Sequence, residues 1–202
     1  EEELGRVIPV IRELSRSGAR VSVDTMRASV AAQALDAGAS IVNDVSGGLA
    51  DPDMARVVAD AGVPFVVMHW RGHSHSMQDR ASYEDVVAEV CRELSARVTD
   101  LCARGVGPDQ LILDPGFGFA KLPGHNWSLL AHLEAIQSLG HPVLIGTSRK
   151  AFLGRLGSMR EQWRARRRSG TPQRPQPPWS QVSHESGGSG CTTCPQVSTP
   201  SV

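Results

Sequence analysis

Lysine is scarce in this chain, and long apolar runs are missing from it. Of its 202 residues 21 are basic, yet only Lys121 and Lys150 are lysine. Because arginine serves everywhere else, a retained lysine indicates a role for a compact, mobile point charge. No apolar run approaches the ~20 residues that a membrane span needs, and no charged, apolar leader opens the sequence. We therefore expect a cytoplasmic protein without a membrane partner.

Cysteine is sparse as well, with four in the chain. Cys91 and Cys102 fall in a helical pattern and are expected to be small packing residues. Cys191 and Cys194 have the spacing of a redox or zinc pair, but no second ligand pair accompanies them and no strand–helix setting surrounds them. We therefore expect no metal or redox chemistry from cysteine.

The formal net charge of zero is a cancellation between two unlike parts. Residues 1–157 are rich in Val, Ala and Leu and acidic on balance, whereas residues 158–202 are rich in Arg, Pro, Ser and Gly. A tail of that composition is typical of disorder, and its charge would attract nucleic acid. It lacks the interleaved aromatic residues of single-strand binders. We predict a folded domain over 1–157, a disordered tail over 158–202, and no nucleic-acid partner.

Short apolar strands alternate with amphipathic helices in the first part. Strands this apolar, separated by helices, indicate parallel pairing. A helix containing Val7 and Leu14 opens the series and is stopped by Gly18. The remaining predicted helices are 27–36, one starting at 51–52 with an Asp N-cap and a Pro, 83–103, 126–138, and one from about 148. The predicted strands are 21–24, 40–45, 64–69, 111–114 and 142–145.

Two architectures fit that string, a (β/α)8 barrel and an open doubly wound sheet. A barrel gathers the carboxyl ends of all its strands on one rim, whereas an open sheet concentrates its site at one switch point. The fold class favoured here is therefore α/β, an incomplete (β/α)8 TIM barrel with about five of eight strands. Every predicted strand ends in or near a polar or functional group, namely Asp24, Asn43–Asp44, Met68–His69, Asp114 and Thr147–Ser148.

The first three strand ends carry groups that suit an amino-heterocycle. Asp24 and Asp44 can accept hydrogen bonds from ring and amino N–H groups, and Asn43 offers a donor and an acceptor together. Met68 supplies a soft apolar wall, and His69 is expected at the rim without a metal. The alternative for the two acids is that they cap the helices that follow.

The fourth and fifth strand ends are richer. Residues 111–113 form an apolar run that presents Asp114, after which a proline and two glycines tighten the backbone and Lys121 follows. Residues 146–150 open a helix, where exposed backbone N–H groups and the Ser148 hydroxyl would receive a carboxylate or phosphate. A plain serine N-cap is the alternative there.

Taken in order, these blocks resemble dihydropteroate synthase. The resemblance rests on Val-Ser-Val-Asp-Thr at 21–25, Val-Asn-Asp-Val-Ser at 42–46, Val-Met-His at 67–69, Asp-Pro-Gly-Phe-Gly-Phe-Ala-Lys at 114–121 and Gly-Thr-Ser-Arg-Lys at 146–150. It covers residues 1–157. That family is a (β/α)8 barrel, usually a homodimer and a sulfonamide target. It condenses 6-hydroxymethyl-7,8-dihydropterin diphosphate with p-aminobenzoate, releasing pyrophosphate, in folate biosynthesis.

The resemblance also implies roles for individual residues. Lys150 and Asp114 are the expected catalytic residues. Phe119, Lys121 and Ser148 are expected to contact p-aminobenzoate. The expected pterin-binding residues are Asp24, Asn43, Met68, Asp114, Gly146 and Lys150.

Parts of the family pattern are missing. The asparagine that helps to hold Mg²⁺ and diphosphate, a second pterin-facing acid, and the final Arg-and-His strand have no counterpart in residues 1–157. We therefore expect Mg²⁺ as the family cofactor, no metal ligand in this chain, and little or no turnover. A methyltetrahydrofolate-type pterin-binding methyltransferase and a non-catalytic pterin-binding remnant are the alternatives, of which the first would not need the 146–150 block.

The tail has a possible explanation in the genetic code. Reading the third base of each codon with the first two of the next permits Gly-Val-Arg-Val-His-Asp-Val-Pro from residues 187–195, which matches the family's final strand. We therefore expect the tail to be an out-of-frame reading of a synthase end.

Overall fold

A computed structural model of the chain describes residues 2–72 and 80–154. Within these ranges helices and parallel strands alternate. A 3-10 turn, Pro108–Gln110, leads into the last strand. The strands are β1 (Ser22–Asp24), β2 (Ile41–Asp44), β3 (Phe65–Met68) and β4 (Leu111–Asp114). The helices are α1 (Glu2–Arg16), α2 (Ala28–Asp36), α3 (Met54–Ala61), α4 (Val86–Ala103), α5 (Pro123–Ala131) and α6 (Leu133–Gln137).

The four strands form one parallel sheet whose spatial order follows the chain, β1-β2-β3-β4. The register pairs Asp24 with Asn43, Asn43 with Val66, and Met68 with Asp114. All strands point the same way, so their carboxyl ends lie along one edge of the sheet. The predicted α/β class with a parallel sheet is confirmed.

The fifth predicted strand, at 142–145, is wrong as a strand. Only an isolated parallel bridge joins Val143 to Leu113. Two hydrogen bonds hold it, from Leu113 N to the Pro142 carbonyl and from Leu144 N to the Leu113 carbonyl, both 2.8 Å. Pro142 has no N–H to donate, and the chain turns away after β4 at Pro115, so no longer ladder forms.

Three helix boundaries also differ from the prediction. The helix predicted from residue 83 begins at Val86, because Asp85 caps it by accepting from the Val87 and Ala88 N–H groups, both at 3.0 Å. The helix predicted at 126–138 is two helices, interrupted at His132 (φ −129°, ψ 41°). The last helix begins at residue 151 and is described through residue 154.

A further difference concerns Asp51, the predicted N-cap of the helix that begins instead at Met54. Its carboxylate accepts from the Asp53 N–H at 3.0 Å and from the Ala28 N–H at 2.8 Å. Asp51 therefore caps the start of α2 across the fold.

The two faces of the sheet differ. Side chains of one parity pack under the helices and form the hydrophobic core, including Val23, Val42, Phe65, Val67, Leu111 and Leu113. Burying each of these stabilises the fold by roughly 1.5–3 kcal/mol. The opposite parity carries Asp24, Asn43, Met68 and Asp114, and we call this side the site face. Among the described helices none has the length and apolarity to cross a membrane.

The tail predicted over 158–202 and the Cys191/Cys194 pair lie outside the described residues. The Cys91 and Cys102 thiols are free and half-buried, and burial raises the pKa of Cys91.

Candidate active site

Four of the predicted site residues share the site face because of the sheet register. Asp24 pairs with Asn43 on the neighbouring strand, and Met68 pairs with Asp114. Side chains alternate between faces along a strand, and the Asn43–Val66 pairing puts both of these pairs on one side. Carboxylate, amide and thioether groups therefore line the carboxyl edge of the sheet.

Asp24 and Asn43 form a pre-arranged polar pair. The Asn43 Nδ2 donates to Asp24 Oδ2 at 3.0 Å. Asp24 is exposed and Asn43 half-buried, so the second carboxylate oxygen and the amide oxygen remain available to a ligand from the solvent side. A planar ring with adjacent N–H and acceptor atoms matches such a pair.

Asp114 lies deeper in the same edge. Its Oδ1 accepts from the Gly116 N–H at 2.7 Å, which starts the tight turn after β4. Burial raises the pKa of the Asp114 carboxyl above its ordinary value, although the Gly116 N–H and the charges of Lys121 and Lys150 oppose this. A partly desolvated carboxyl beside two cationic side chains is typical of a functional site.

Residues 115–121 form the loop after Asp114, which we call the site loop. Lys121 holds the site loop from the inside. The Lys121 side chain is almost fully buried (3% exposed). Its Nζ lies 3.2 Å from the Gly116 carbonyl, 3.1 Å from the Phe119 carbonyl and 3.0 Å from His69 Nδ1. Burial lowers the pKa of Lys121 to about 7, against the opposing charge of Asp114.

His69 connects Lys121 to helix α4. Its Nε2 lies 2.9 Å from Glu93 Oε2. Burial lowers the pKa of His69 to about 4 despite that hydrogen bond, so the imidazole is neutral at pH 7. Burial would raise the pKa of Glu93, but hydrogen bonds from His69 and Arg71 lower it to about 2. The chain Glu93–His69–Lys121 therefore runs from an ionised carboxylate to the site loop.

Arg71 and Tyr83 add a second tie between α4 and the same loop. Arg71 pairs with Glu93 and, at 2.7 Å, with Glu89, and its guanidinium lies 3.9 Å from the Tyr83 ring centroid. The Tyr83 hydroxyl donates to the Ala120 carbonyl at 2.9 Å. Burial raises the pKa of Tyr83 to about 12, so the hydroxyl keeps its proton at neutral pH.

Phe119 and Lys150 come together at the outer side of the loop. Lys150 Nζ lies 3.8 Å from the centroid of the Phe119 ring. Both side chains are half-buried, while Gly146 and Ser148 are exposed. Burial lowers the pKa of Lys150, and Asp114 opposes that shift. Lys150 is thus close to the acid and to an aromatic wall, and the predicted Ser148 contact faces solvent.

Glycine is required at two places in this loop. A Cβ on Gly116 (φ +68°) would lie 2.7 Å from the His69 carbonyl, and one on Gly118 (φ +77°) 3.0 Å from Lys150 Cδ. Two residues with side chains also take positive φ, Ala120 at 48° and Arg149 at 57°. Each directly precedes a lysine, and such strain persists only where the surroundings enforce it.

Asp44 is not a site residue, contrary to the sequence-based interpretation that it accepts from a ligand. It is fully buried (0% exposed). Its oxygens accept from the Ser46 N–H and hydroxyl, both at 2.7 Å, and from the Gly48 N–H at 2.9 Å. Asp44 therefore holds the loop after β2.

Sequence reasoning missed most of the supporting residues. Glu93, Arg71 and Tyr83 belong to α4 or its approach and carry no motif of their own. Asn126 was also missed: it is 1% exposed and accepts from the Gly118 N–H at 2.7 Å. A pattern that was available is the acid pair Glu89 and Glu93, which are four residues apart and hence share one helix face.

In residues 2–72 and 80–154 no three His, Cys, Asp or Glu side chains come together in an arrangement that could hold a metal ion. Mg²⁺ that is bound together with substrate phosphates needs only one or two protein oxygens, so the Mg²⁺ that the resemblance implies stays an expectation.

The family follows from a direct match. The model of the pterin binding enzyme family matches residues 1–172. The chain therefore belongs to the family of pterin binding enzymes, and the resemblance stated from the sequence motifs is confirmed.

Individual proteins that are similar to this chain carry a more specific name than the family does. The dihydropteroate synthase of Mycobacterium leprae is 55% identical over 155 residues, covering 76% of this chain and 55% of that protein. A dihydropteroate synthase from Thermus thermophilus, solved with 4-aminobenzoate, is 46% identical with a TM-score of 0.73, covering 78% of this chain and 61% of that one. One from Xanthomonas albilineans, solved with 7,8-dihydropteroate, is 43% identical with a TM-score of 0.72, covering 78% and 57%. The chain thus spans little more than half the length of these relatives.

Proposed function

We propose that this chain carries the pterin and p-aminobenzoate contacts of a dihydropteroate synthase, a transferase. One observation carries the proposal: the sheet register puts Asp24, Asn43, Met68 and Asp114 on one face and at one edge. The relatives support the assignment, since their described complexes hold 4-aminobenzoate or 7,8-dihydropteroate.

In the pterin subsite, Asp24 and Asn43 read the amino-pyrimidine edge from the exposed side, and Asp114 reads it from the buried side. The proposed role of Lys150 is to donate to the pterin carbonyl and ring nitrogen. Met68 packs on the ring, and Gly146 lets the backbone approach it closely.

In the p-aminobenzoate subsite, Phe119 and the aliphatic stem of Lys121 form the wall. Ser148 and the start of the following helix receive the carboxylate. The ammonium of Lys121 is bonded inward, to the Gly116 and Phe119 carbonyls, so the proposed contribution of Lys121 to this subsite is shape rather than charge.

The proposed reaction forms one bond and breaks one. The amine nitrogen of p-aminobenzoate bonds to the pterin methylene carbon, the carbon–oxygen bond to diphosphate breaks, and pyrophosphate leaves with the electron pair. The amine then loses a proton. Asp114 stabilises the positive charge that develops on the pterin, and Lys150 holds the pterin ring against Asp114. Because both groups are in place before the reaction, this electrostatic preorganisation lowers the barrier.

We propose that this chain binds its ligands but converts them slowly or not at all. The family groups that grip the leaving diphosphate have no counterpart in residues 1–157, and their interactions act on the transition state. We propose little or no turnover by the chain alone. Mg²⁺ remains the cofactor expected for the family.

The order of the strands supports the proposed architecture. The sequential strand order without reversal favours a segment of a (β/α)8 barrel over a doubly wound sheet, whose order reverses at a switch point. We also propose a homodimeric, cytoplasmic protein with an incomplete barrel over 1–157.

Calorimetry with 6-hydroxymethyl-7,8-dihydropterin diphosphate tests the proposal. We expect the chain to bind it, and Asp114→Asn to weaken binding at least tenfold, about 1.4 kcal/mol, because the charge that faces the pterin is lost. Glu134→Gln, at an exposed position of α6, is the matched control and should bind as the wild type does. Absence of binding, or equal loss in both variants, would refute the proposal.

A further inference from the structure

Helix α4 lies on the far side of the sheet from the site face, yet one of its carboxylates reaches the site loop through two side chains. Glu93 contacts His69 Nε2 at 2.9 Å, and His69 Nδ1 contacts Lys121 Nζ at 3.0 Å. His69 is 3% exposed. The ring therefore bridges an outer helix and the loop at 115–121.

The chemistry of the three side chains fixes which atoms donate and which accept between Glu93, His69 and Lys121. An ionised carboxylate only accepts, so the neutral imidazole donates from Nε2 to Glu93. Its Nδ1 is then the acceptor, which suits Lys121, because the ammonium and the amine both carry N–H groups that can donate to it. The protonated form of Lys121 has three N–H groups for three acceptors, the other two being the Gly116 and Phe119 carbonyls. Each link requires the one before it.

We propose that Glu93 and His69 are positioning residues of the site: Glu93 sets the tautomer of His69, and His69 holds Lys121 where it closes the loop that carries Phe119. The proposal deepens the proposed function and rests on it for the identity of the ligand. Neither residue touches a substrate. Their effect on p-aminobenzoate reaches it through the conformation of residues 116–119.

Other charged groups also act on Lys121 and must be separated from this effect. Asp114 faces it from the end of β4, Arg71 and Glu93 from the side of α4, and Lys150 from the segment before the last helix. Of these, Glu93 alone is linked to Lys121 through a hydrogen-bonded side chain in the described residues.

The chain offers a direct readout, because Lys121 and Lys150 are its only lysines. Lysine labelled with ¹³C at Cε gives two signals in the 202-residue chain, and Lys150→Arg assigns them. We expect Glu93→Gln to lower the titration midpoint of Lys121, since the variant removes the charge and releases the imidazole tautomer. Glu89→Gln is the matched control: Glu89 also pairs with Arg71, and the midpoint should stay unchanged.

A double-mutant cycle separates the hydrogen-bonded path from the direct field of the carboxylate. His69→Asn keeps an acceptor near the Nδ1 position but has no ring to reach Glu93. In that background Glu93→Gln should shift the Lys121 midpoint by less than half as much as in the wild type. An equal shift in both backgrounds would overturn the positioning role.

Two further measurements keep the test decisive. Imidazole ¹⁵N shifts of the unsubstituted chain, with the His69 signal assigned by sequential backbone-to-ring connectivity and so without any variant, should show the Nε2–H tautomer; an Nδ1–H tautomer would overturn the proposal even if every variant unfolds. Equilibrium dialysis with p-aminobenzoate should show at least threefold weaker binding in Glu93→Gln than in Glu89→Gln. If the wild type binds no p-aminobenzoate, the proposed function fails, while the lysine and histidine signals still decide the positioning role.

Discussion

The carboxyl edge of the sheet has two unlike halves. In the exposed half, Asp24 and Asn43 make one hydrogen bond to each other, and their remaining polar atoms face outward. In the buried half, Lys121 alone makes three hydrogen bonds, and Asn126 holds the same loop from α5. We propose that the exposed half receives the ligand, whereas the buried half holds the loop at 115–121. Polar residues at the edge thus serve two purposes that burial separates.

The largest loss of stability is expected from a substitution in the buried half, where the backbone is most closely packed. Gly116→Ala should lower the free energy of unfolding by about 3 kcal/mol or more, because a left-handed φ is costly for alanine and the new Cβ meets the His69 carbonyl. Urea unfolding measures this. Gly124→Ala, where a Cβ meets nothing within 4 Å, should change stability by less than about 1 kcal/mol; similar losses at both sites would contradict the account.

The two asparagines of the chain compare the halves directly, since Asn43 and Asn126 are the only ones. Asn126→Ala leaves the half-buried Gly118 N–H without its acceptor and should cost about 2 kcal/mol. Asn43→Ala should cost less than about 1 kcal/mol yet weaken binding of the pterin diphosphate at least tenfold. Denaturant melts and calorimetry on both variants check this, and a reversed order of stability losses would sink the division into halves.

The pH dependence of stability reports the burial of Lys121. Its folded pKa of about 7 lies below the ordinary 10.5, so above pH 7 the unfolded chain binds more protons and stability rises with pH. The penalty is fully present below pH 7 and is relieved as the pH climbs toward 10.5. The slope between pH 7 and 8.5 should approach at most about 1.4 kcal/mol per pH unit.

Lys121→Met should abolish that slope, whereas Lys150→Met should retain most of it. Denaturant midpoints at several pH values between 7 and 8.5 measure it. Higher pH is avoided, because Cys91, with an ordinary pKa of 9.0 that burial raises, destabilises the fold as its unfolded form ionises. A slope that survives Lys121→Met would show that another group is responsible.

The smallest effect is expected where the halves meet, at the Lys150–Phe119 contact of 3.8 Å. A cation over an aromatic ring that is not fully removed from water contributes about 0.5–1 kcal/mol. A double-mutant cycle with Lys150→Met and Phe119→Leu should give a coupling of that size. The Arg71–Tyr83 contact, where the arginine side chain is only 17% exposed, should couple more strongly; equal or inverted couplings would show that burial does not set the order.

The alternation of strands made much of the site predictable. Asp24, Asn43 and Asp114 were assigned to strand ends from short apolar runs, and the register brings them to one face. The prediction that Asp44 accepts from a ligand is wrong because of the same alternation of side chains. Asp44 lies one residue beyond Asn43, and a shift of one residue moves a side chain to the opposite face, here the face under the helices.

The supporting network could not be predicted from local sequence. The residues of the His69–Glu93 pair are 24 positions apart and those of the Lys121–His69 pair 52 apart, and each contact depends on how α4 and the site loop pack on the sheet. The loss of the fifth strand depended on Pro142 and on the turn at Pro115 together. Motifs therefore predicted which groups share the strand ends, while tertiary packing determined what holds them.

The most direct test of the two halves is an NMR titration of one sample with 6-hydroxymethyl-7,8-dihydropterin diphosphate. The protein carries ¹⁵N in its two asparagine side chains and ¹³C in its two lysines. Asn43 lies in the exposed half and Lys150 where the halves meet, whereas Asn126 and Lys121 lie in the buried half. We predict that the Asn43 amide and the Lys150 Cε signals move on binding, while those of Asn126 and Lys121 stay nearly fixed. Movement of the Asn126 and Lys121 signals with the other two unchanged, or no movement at all, would contradict the account.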